Sequence, residues 1–206
     1  MLIFDEVSVS RAGRQLFQPV SFALEPGKIM TLQGESGLGK STLLHALIDQ
    51  ESGVEISGQI ILDGNPMDPS NRLSAESQTV FQEPLLFPHL SIGANIELSM
   101  HQLQGASHRD RVNQLLNQIG LSGMAEQDPF QLSRGQMMRV AVARALAPHP
   151  RILLLDEPLS ALDSETREQV KHLIFEQVRH DAAYGVLVTH HPEDRPQGGD
   201  MVCLMP

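Results

Sequence analysis

"QGESGLGKSTLLHAL", Gln33–Leu47, decides the reading of this chain. Gly34, Gly37 and Gly39 run directly into Lys40 and Ser41, in the spacing G-x-x-x-x-G-K-[ST]. Glycines reach positive φ and carry no side chain, so successive backbone N–H groups can converge on an anion. The preceding "KIMTLQ", residues 28–33, is apolar and bounded by Pro26-Gly27 and Gly34, which predicts a buried strand. Residues 41–48 predict a helix, and a helix opening at the loop adds the positive end of its dipole. Gly34, Glu35, Ser36, Gly37, Leu38, Gly39, Lys40, Ser41 and Thr42 are thus the expected cradle for nucleotide phosphates. Lys40 is placed to reach the β- and γ-phosphates, and the Ser41 hydroxyl to ligate Mg²⁺.

A second half of such a site lies far downstream. "RILLLDEP", residues 151–158, is an apolar strand ending in Asp156 and Glu157. Open α/β sheets bind ligands at the carboxyl ends of their strands. Asp156 there can hold Mg²⁺ through water, and Glu157 can act as general base on the attacking water.

The remaining pattern frames these pieces. Short strands are predicted at residues 78–82, 185–190 and 201–205, and "GQIILDGNPM", with its Asp63-Gly64 turn, predicts a peripheral β region. Residues 83–146 read as mainly helical: Val112, Leu115, Leu116 and Ile119 share a face before Gly120, and a second helix spans 133–147. A further helix is predicted over 163–179, with Val170, Leu173, Ile174 and Val178 on one side. Strand–helix alternation around a helical insert predicts an α/β sheet.

Composition narrows the function class. The 206 residues suit one domain, 41% of them are hydrophobic, and the formal charge is -10. That balance argues against a broad nucleic-acid surface, which needs excess Lys and Arg. Cys203 is the only cysteine, so neither a disulfide framework nor a thiolate metal site is expected. The N-terminal "MLIFDEVSVS" lacks the pattern of a signal peptide, and no window approaches the ~18 apolar residues of a membrane span. A membrane role is expected only through a partner.

Six pieces occur in a telling order: the glycine loop, "VFQEP" with Gln82, "LSRGQMMRVAVARAL", "RILLLDEP", "SALD", and "VTHH". Over nearly the whole chain this resembles the ATP-binding-cassette (ABC) ATPases. The resemblance implies an α/β fold with a P-loop NTPase (RecA-like) core and its parallel sheet, a peripheral antiparallel β region and an inserted α-helical subdomain. The core is expected at residues 1–82 and 148–206, and the helical signature subdomain at 83–147. It also implies that Gln82 contacts Mg²⁺ or the attacking water. Ser133, Gly135 and Gln136 belong to a signature that meets the γ-phosphate held by an opposing subunit. Asp163 crosses the dimer seam, and His190 hydrogen-bonds the γ-phosphate and positions Glu157. Ser133 and Asp163 have an alternative as plain helix caps.

The sequence departs from the family in three places. Arg134 replaces a signature glycine, and either crowds the interface or adds a phosphate contact. The aromatic residue that usually stacks on adenine is replaced by Arg11, whose guanidinium plane can stack on a base, with Phe17 as a weaker substitute. After the last strand there is little room for a closing helix. The resemblance implies a Mg-dependent ATPase working as a homodimer, or as a heterodimer with a similar subunit, on the cytoplasmic side of the inner membrane. Its partner would be a transmembrane permease and, through it, an extracytoplasmic solute-binding protein, with no nucleic acid. "PLLFPHLSIGANIEL", residues 84–98, resembles the segment by which importer subunits grip the permease. The alternatives are a soluble ABC ATPase acting on nucleic acid or ribosomes, and a low-turnover nucleotide-binding regulator.

Overall fold

Glu6 is where the first strand breaks its alternation. β1 (Leu2–Arg11) pairs antiparallel with β3 (Val20–Leu24) and β5 (Val54–Leu62), and both ladders slip next to Glu6, which takes φ +51. The extra residue is a β-bulge, which twists the strand. Gly58 faces it: a Cβ there would sit 2.3 Å from the Glu6 carbonyl oxygen and 2.6 Å from that of Asp5. β2 (Arg14–Gln15) and β6 (Asn65–Pro66) complete this antiparallel sheet.

The computed structural model describes residues 1–48, 53–67, 73, 76–100, 107–197 and 199–206. They form two compact units, Met1–Ser77 with Arg151–Asp156 and Val178–Pro206, and Gln78–Pro150 with Glu157–Gln177.

The first unit also contains the parallel strands β4 (Ile29–Gln33), β8 (Ile152–Asp156), β9 (Tyr184–Val188) and β10 (Met201–Cys203), in the order β10–β4–β9–β8. Every residue of β8 and β9 is buried, as expected for strands covered on both faces. Leu32 lies opposite Val188, and Val188 opposite Asp156. The chain therefore leaves β4, β9 and β8 along one edge, just beyond these three residues. α1 (Lys40–Ile48) follows the loop after β4, and its Leu43, Leu44 and Leu47 join Leu2, Phe4, Leu32, Leu154 and Val186 in one core. At the opposite ends of the strands Asp63 accepts from Tyr184 Oη at 2.5 Å and pairs with Arg151 at 2.5 Å and with the N-terminal ammonium.

β7 (Ser77–Val80) begins where the units meet in sequence and is shorter than the predicted 78–82 at its far end, which leaves Gln82 outside the strand. In the second unit the predicted helical stretch resolves into α2 (Ile92–Glu97), α3 (Ser107–Gln118) and α4 (Arg134–Leu146). Residues 101–106 of that stretch lie outside the described residues. Val112, Leu115, Leu116 and Ile119 are buried, as their spacing predicts. α5 (Ser164–His180) starts one residue later than predicted because Asp163 caps it: its Oδ1 accepts from the Thr166 N–H at 3.0 Å. That cap holds the Asp163 carboxyl below its ordinary range, chiefly through the Thr166 hydrogen bonds.

Candidate functional site

The glycine loop leaves β4 at the shared edge of the parallel strands. Gly37 and Gly39 take φ +82 and +91, and a Cβ on Gly39 would meet Leu16 Cδ1 at 2.8 Å. Glu35, Ser36 and Gly37 are exposed, Leu38 packs against the core, and Thr42 is half-buried on α1. Lys40 is 8% exposed, and its ammonium spans the loop, donating to the carbonyl oxygens of Gly34 at 2.9 Å and Glu35 at 2.8 Å. A cation so placed inside a ring of small residues suits a polyphosphate.

Asp156, at the end of β8, is only 3% exposed. Ser41 Oγ donates to its Oδ1 at 2.8 Å, joining residues 115 positions apart. His45 Nε2 lies 3.5 Å from Oδ2. A buried carboxylate beside a serine hydroxyl supplies hard oxygen donors of the kind Mg²⁺ takes together with phosphate oxygens. These residues fit the metal and the nucleotide that the loop implies.

His190 stands two residues beyond Val188 on the same edge and is exposed. Its ring lies 4.0 Å from that of His191 at an interplanar angle of 40°. The turn carrying it is fixed from below: Thr189 Oγ1 donates to Asp194 at 2.9 Å and accepts from the His191 N–H at 3.1 Å. The parallel register thus brings the starts of the glycine loop and the His190 turn to one edge with Asp156.

In the second unit Glu157 follows Asp156 directly and takes φ +48, a left-handed conformation that costs a non-glycine residue about 1 kcal/mol. Gln82 Nε2 lies 3.5 Å from its Oε2. Ser133 caps α4 in a reciprocal capping box: its hydroxyl accepts from the Gln136 N–H at 3.2 Å, and Gln136 Oε1 accepts from the Ser133 N–H at 2.8 Å. Gly135 lies in the first turn, where an added Cβ would meet Leu162 at 3.4 Å. Arg134 is exposed and lines a groove of about 380 Å³ with Glu83, Leu85, Phe130 and Met137.

Arg11 is exposed at the end of β1, opposite Arg14 and Val54. Phe17 is 1% exposed within the core, so it is withdrawn as a base-stacking substitute: its ring is already covered on all sides.

Three residues that the sequence reading did not single out help to shape these places. His45 is one. Asn95, fully buried, accepts from the Phe87 N–H at 2.7 Å and donates to the carbonyls of Phe87, Leu90 and Ser91. Arg144 donates to the carbonyls of Leu85 at 2.9 Å and Pro84 at 3.0 Å, and burial lowers its pKa. The signal for Asn95 was present: a polar residue between Ile92 and Ile96, on the face that α2 buries.

A glycine loop between parallel strand and helix, with a lysine inside it and a carboxylate at a strand end touching the loop's serine, defines a P-loop nucleoside-triphosphatase. The chain belongs to the ABC transporter family, whose model matches residues 17–160. It is 36% identical over 198 residues to an Fe(3+) ions import ATP-binding protein, FbpC 2, of Haemophilus influenzae, covering 93% of this chain and 55% of the relative. It is 39% identical over 201 residues to the ABC transporter ATP-binding protein YnjD of Escherichia coli, covering 95% and 91%. A spermidine/putrescine import ATP-binding protein, PotA, of Methylococcus capsulatus is 38% identical over 206 residues, covering 98% and 52%. The chain thus spans about half the length of the FbpC and PotA relatives. Among solved structures it resembles an ATP-binding cassette seen as a dimer in a post-hydrolysis state with ADP and Pi, with TM-score 0.82 and 29% identity, covering 100% of this chain and 94% of the other.

Proposed function

We propose that this protein is the ATP-hydrolysing subunit of an ABC importer, acting on the cytoplasmic side of the inner membrane as a peripheral homodimer. The observation that carries the reading is the 2.8 Å bond from Ser41 to Asp156 beside a lysine-filled glycine loop. Import is favoured because relatives named for iron, sulfate/thiosulfate and polyamine uptake cover nearly all of this chain. Those names span unlike solutes, so a small solute is proposed and its identity is assigned to the permease and its extracytoplasmic solute-binding protein.

Mg-ATP, when bound, supplies the phosphoanhydride to be split and the divalent charge that steadies it. Gly34 to Gly39 cradle the phosphates with backbone amides, Lys40 exchanges its carbonyl partners for them, and Ser41 and Asp156 hold the metal. Glu157 takes a proton from the attacking water, Gln82 orients Glu157, and His190 donates towards the terminal phosphate. Arg11 stacks on the base. Ser133, Gly135 and Gln136 present the capped start of α4 to the nucleotide of a second subunit, and Asp163 lies at that seam. Residues 1–82 and 148–206 act as the nucleotide-binding core and 83–147 as the signature subdomain. The permease docks on the second unit. There Arg144 and Asn95 pin the backbone of residues 84–91 while Leu85, Phe87 and Phe130 stay exposed at 55%, 47% and 78%. Exposed apolar side chains on a pinned backbone are what a partner helix can use without an ordering cost. Among the described residues no helix is long and apolar enough to cross a membrane.

The test is Mg-ATP hydrolysis by wild type and Glu157→Gln, with sizing in ATP. Slow turnover in the wild type, its loss in the variant and an ATP-held dimer are expected. Equal rates in both proteins would remove Glu157 from its role. Co-purification with a multi-span membrane protein is expected; stable association with nucleic acid would favour a soluble ABC ATPase instead.

A further inference from the structure

We infer that Thr189 and Asp194 are positioning residues for His190, clamping the chain on both sides of it so that its ring is held at one angle. Asp194 ends the short helical turn Pro192–Asp194 and is 2% exposed, as is Thr189. Its carboxylate accepts from Thr189 Oγ1 at 2.9 Å, and its N–H donates to the His191 carbonyl at 3.2 Å. The residue before His190 and the residue after it are therefore fastened to the same buried aspartate. A third bond closes the turn over His190 itself: Thr189 Oγ1 accepts from the His191 N–H at 3.1 Å. A hydroxyl has one proton and two lone pairs, so giving the proton to Asp194 leaves a lone pair for that amide. Threonine is β-branched and stiff at χ1, which leaves the hydroxyl little room to swing. His190 is exposed, with its ring 4.0 Å from that of His191. Burial does not steady such a side chain, so its aim depends on the backbone that carries it and on the ring beside it.

The inference rests on the proposal that His190 donates towards the terminal phosphate. That contact is available to ATP and not to ADP, so a well-aimed His190 shows as a preference for the triphosphate. Thr189 and Asp194, buried beneath the turn, act without touching the nucleotide. Their loss should lower that preference while leaving the glycine loop's hold on ADP unchanged.

The experiment measures, by titration calorimetry in Mg²⁺, the affinities for ADP and for the non-hydrolysable imido analogue of ATP. His190→Ala is expected to cut the preference for the analogue about tenfold and Thr189→Val about fivefold, the size of one hydrogen bond lost or misaligned. ADP affinity should stay within about twofold of wild type in both. Thr189→Ser keeps the hydroxyl and is expected to restore the preference to within about twofold. Asp194→Ala frees the Thr189 proton to turn, should lower the preference in the same direction, and carries the test where the valine variant does not fold. The double variant Thr189→Val/His190→Ala should prefer the analogue no less than His190→Ala alone, because there is no ring left to aim. An unchanged preference in the valine and alanine variants, beside a reduced one in His190→Ala, would overturn this inference and leave the role of His190 standing. So would equal weakening of ADP and the analogue, which marks a disturbed fold, a serine variant as poor as valine, or losses that multiply in the double variant. A His190→Ala protein with the wild-type preference overturns the assignment of His190 itself, and this inference with it.

Discussion

Asn95 holds Phe87 by both of its backbone groups: Oδ1 accepts from the Phe87 N–H at 2.7 Å, and Nδ2 donates to the Phe87 carbonyl at 3.1 Å. One fully buried side chain thus sets the course of the segment that exposes Leu85 and Phe87.

Asn95→Leu removes that bracket and strands the Phe87 amide. A buried unsatisfied group costs about 1–3 kcal/mol, and a domain of this size loses roughly 2–4 °C in Tm per kcal/mol. We expect a Tm lower by about 5–10 °C in a thermal melt, and a larger fractional loss of permease in pull-downs than of ATP binding. A variant that melts like wild type would show the bracket to be idle.

Gln82 and Glu157, 3.5 Å apart, are expected to act as a unit. Loss of a general base typically costs about 10²–10⁴ in rate. Glu157→Gln should lose at least about a hundredfold in kcat and Gln82→Ala about tenfold, with the double variant no slower than Glu157→Gln alone. Glutamine keeps a side chain of the same length in the left-handed conformation of Glu157, so Tm should stay within about 2 °C. Multiplied losses in the double variant would show that the two residues act independently.

Gly58→Ala is expected to be among the most damaging single-methyl additions in the first unit. The new Cβ meets two carbonyl oxygens of the β1 bulge, at 2.3 and 2.6 Å, and φ is +92. Neither backbone can retreat without breaking the ladder, so about 2–4 kcal/mol should be lost. Urea unfolding measures it; a loss under 1 kcal/mol would mean that the bulge yields.

Asp63 gives an acid-side signature. The N-terminal ammonium, the Tyr184 hydroxyl and Arg151 hold its pKa down to about 2. Because the folded value lies below the unfolded one of about 3.9, the contribution is complete above pH ~4 and fades as pH falls towards 2. Asp63→Asn should therefore flatten the stability-against-pH curve between about pH 4 and 2 in urea titrations. A curve parallel to wild type would exclude Asp63 as the source.

The nucleotide half of the site was legible because its pieces are contiguous. The loop, the start of α1 and the end of β8 each announce themselves by local glycine, apolar and acidic patterning, and only their meeting at Ser41–Asp156 needed the fold. β1 escaped notice because the bulge at Glu6 interrupts the alternation that marks a half-buried strand. The cap role of Asp163 and the capping box of Ser133 and Gln136 were within reach of sequence, since Ser-x-x-Gln before an apolar run is a helix start. The approach of His45 to within 3.5 Å of Asp156 was not, because it depends on which way one face of α1 is turned.

The order β10–β4–β9–β8 has a consequence for how the chain emerges during synthesis. β4 ends by residue 33, yet both of its neighbours come from residues 184–203. On the ribosome the strand leading into the phosphate loop is thus made well before either of its flanking strands. For about 150 residues' worth of translation this apolar strand has no native edge to join, the condition under which a strand is exposed to mispairing.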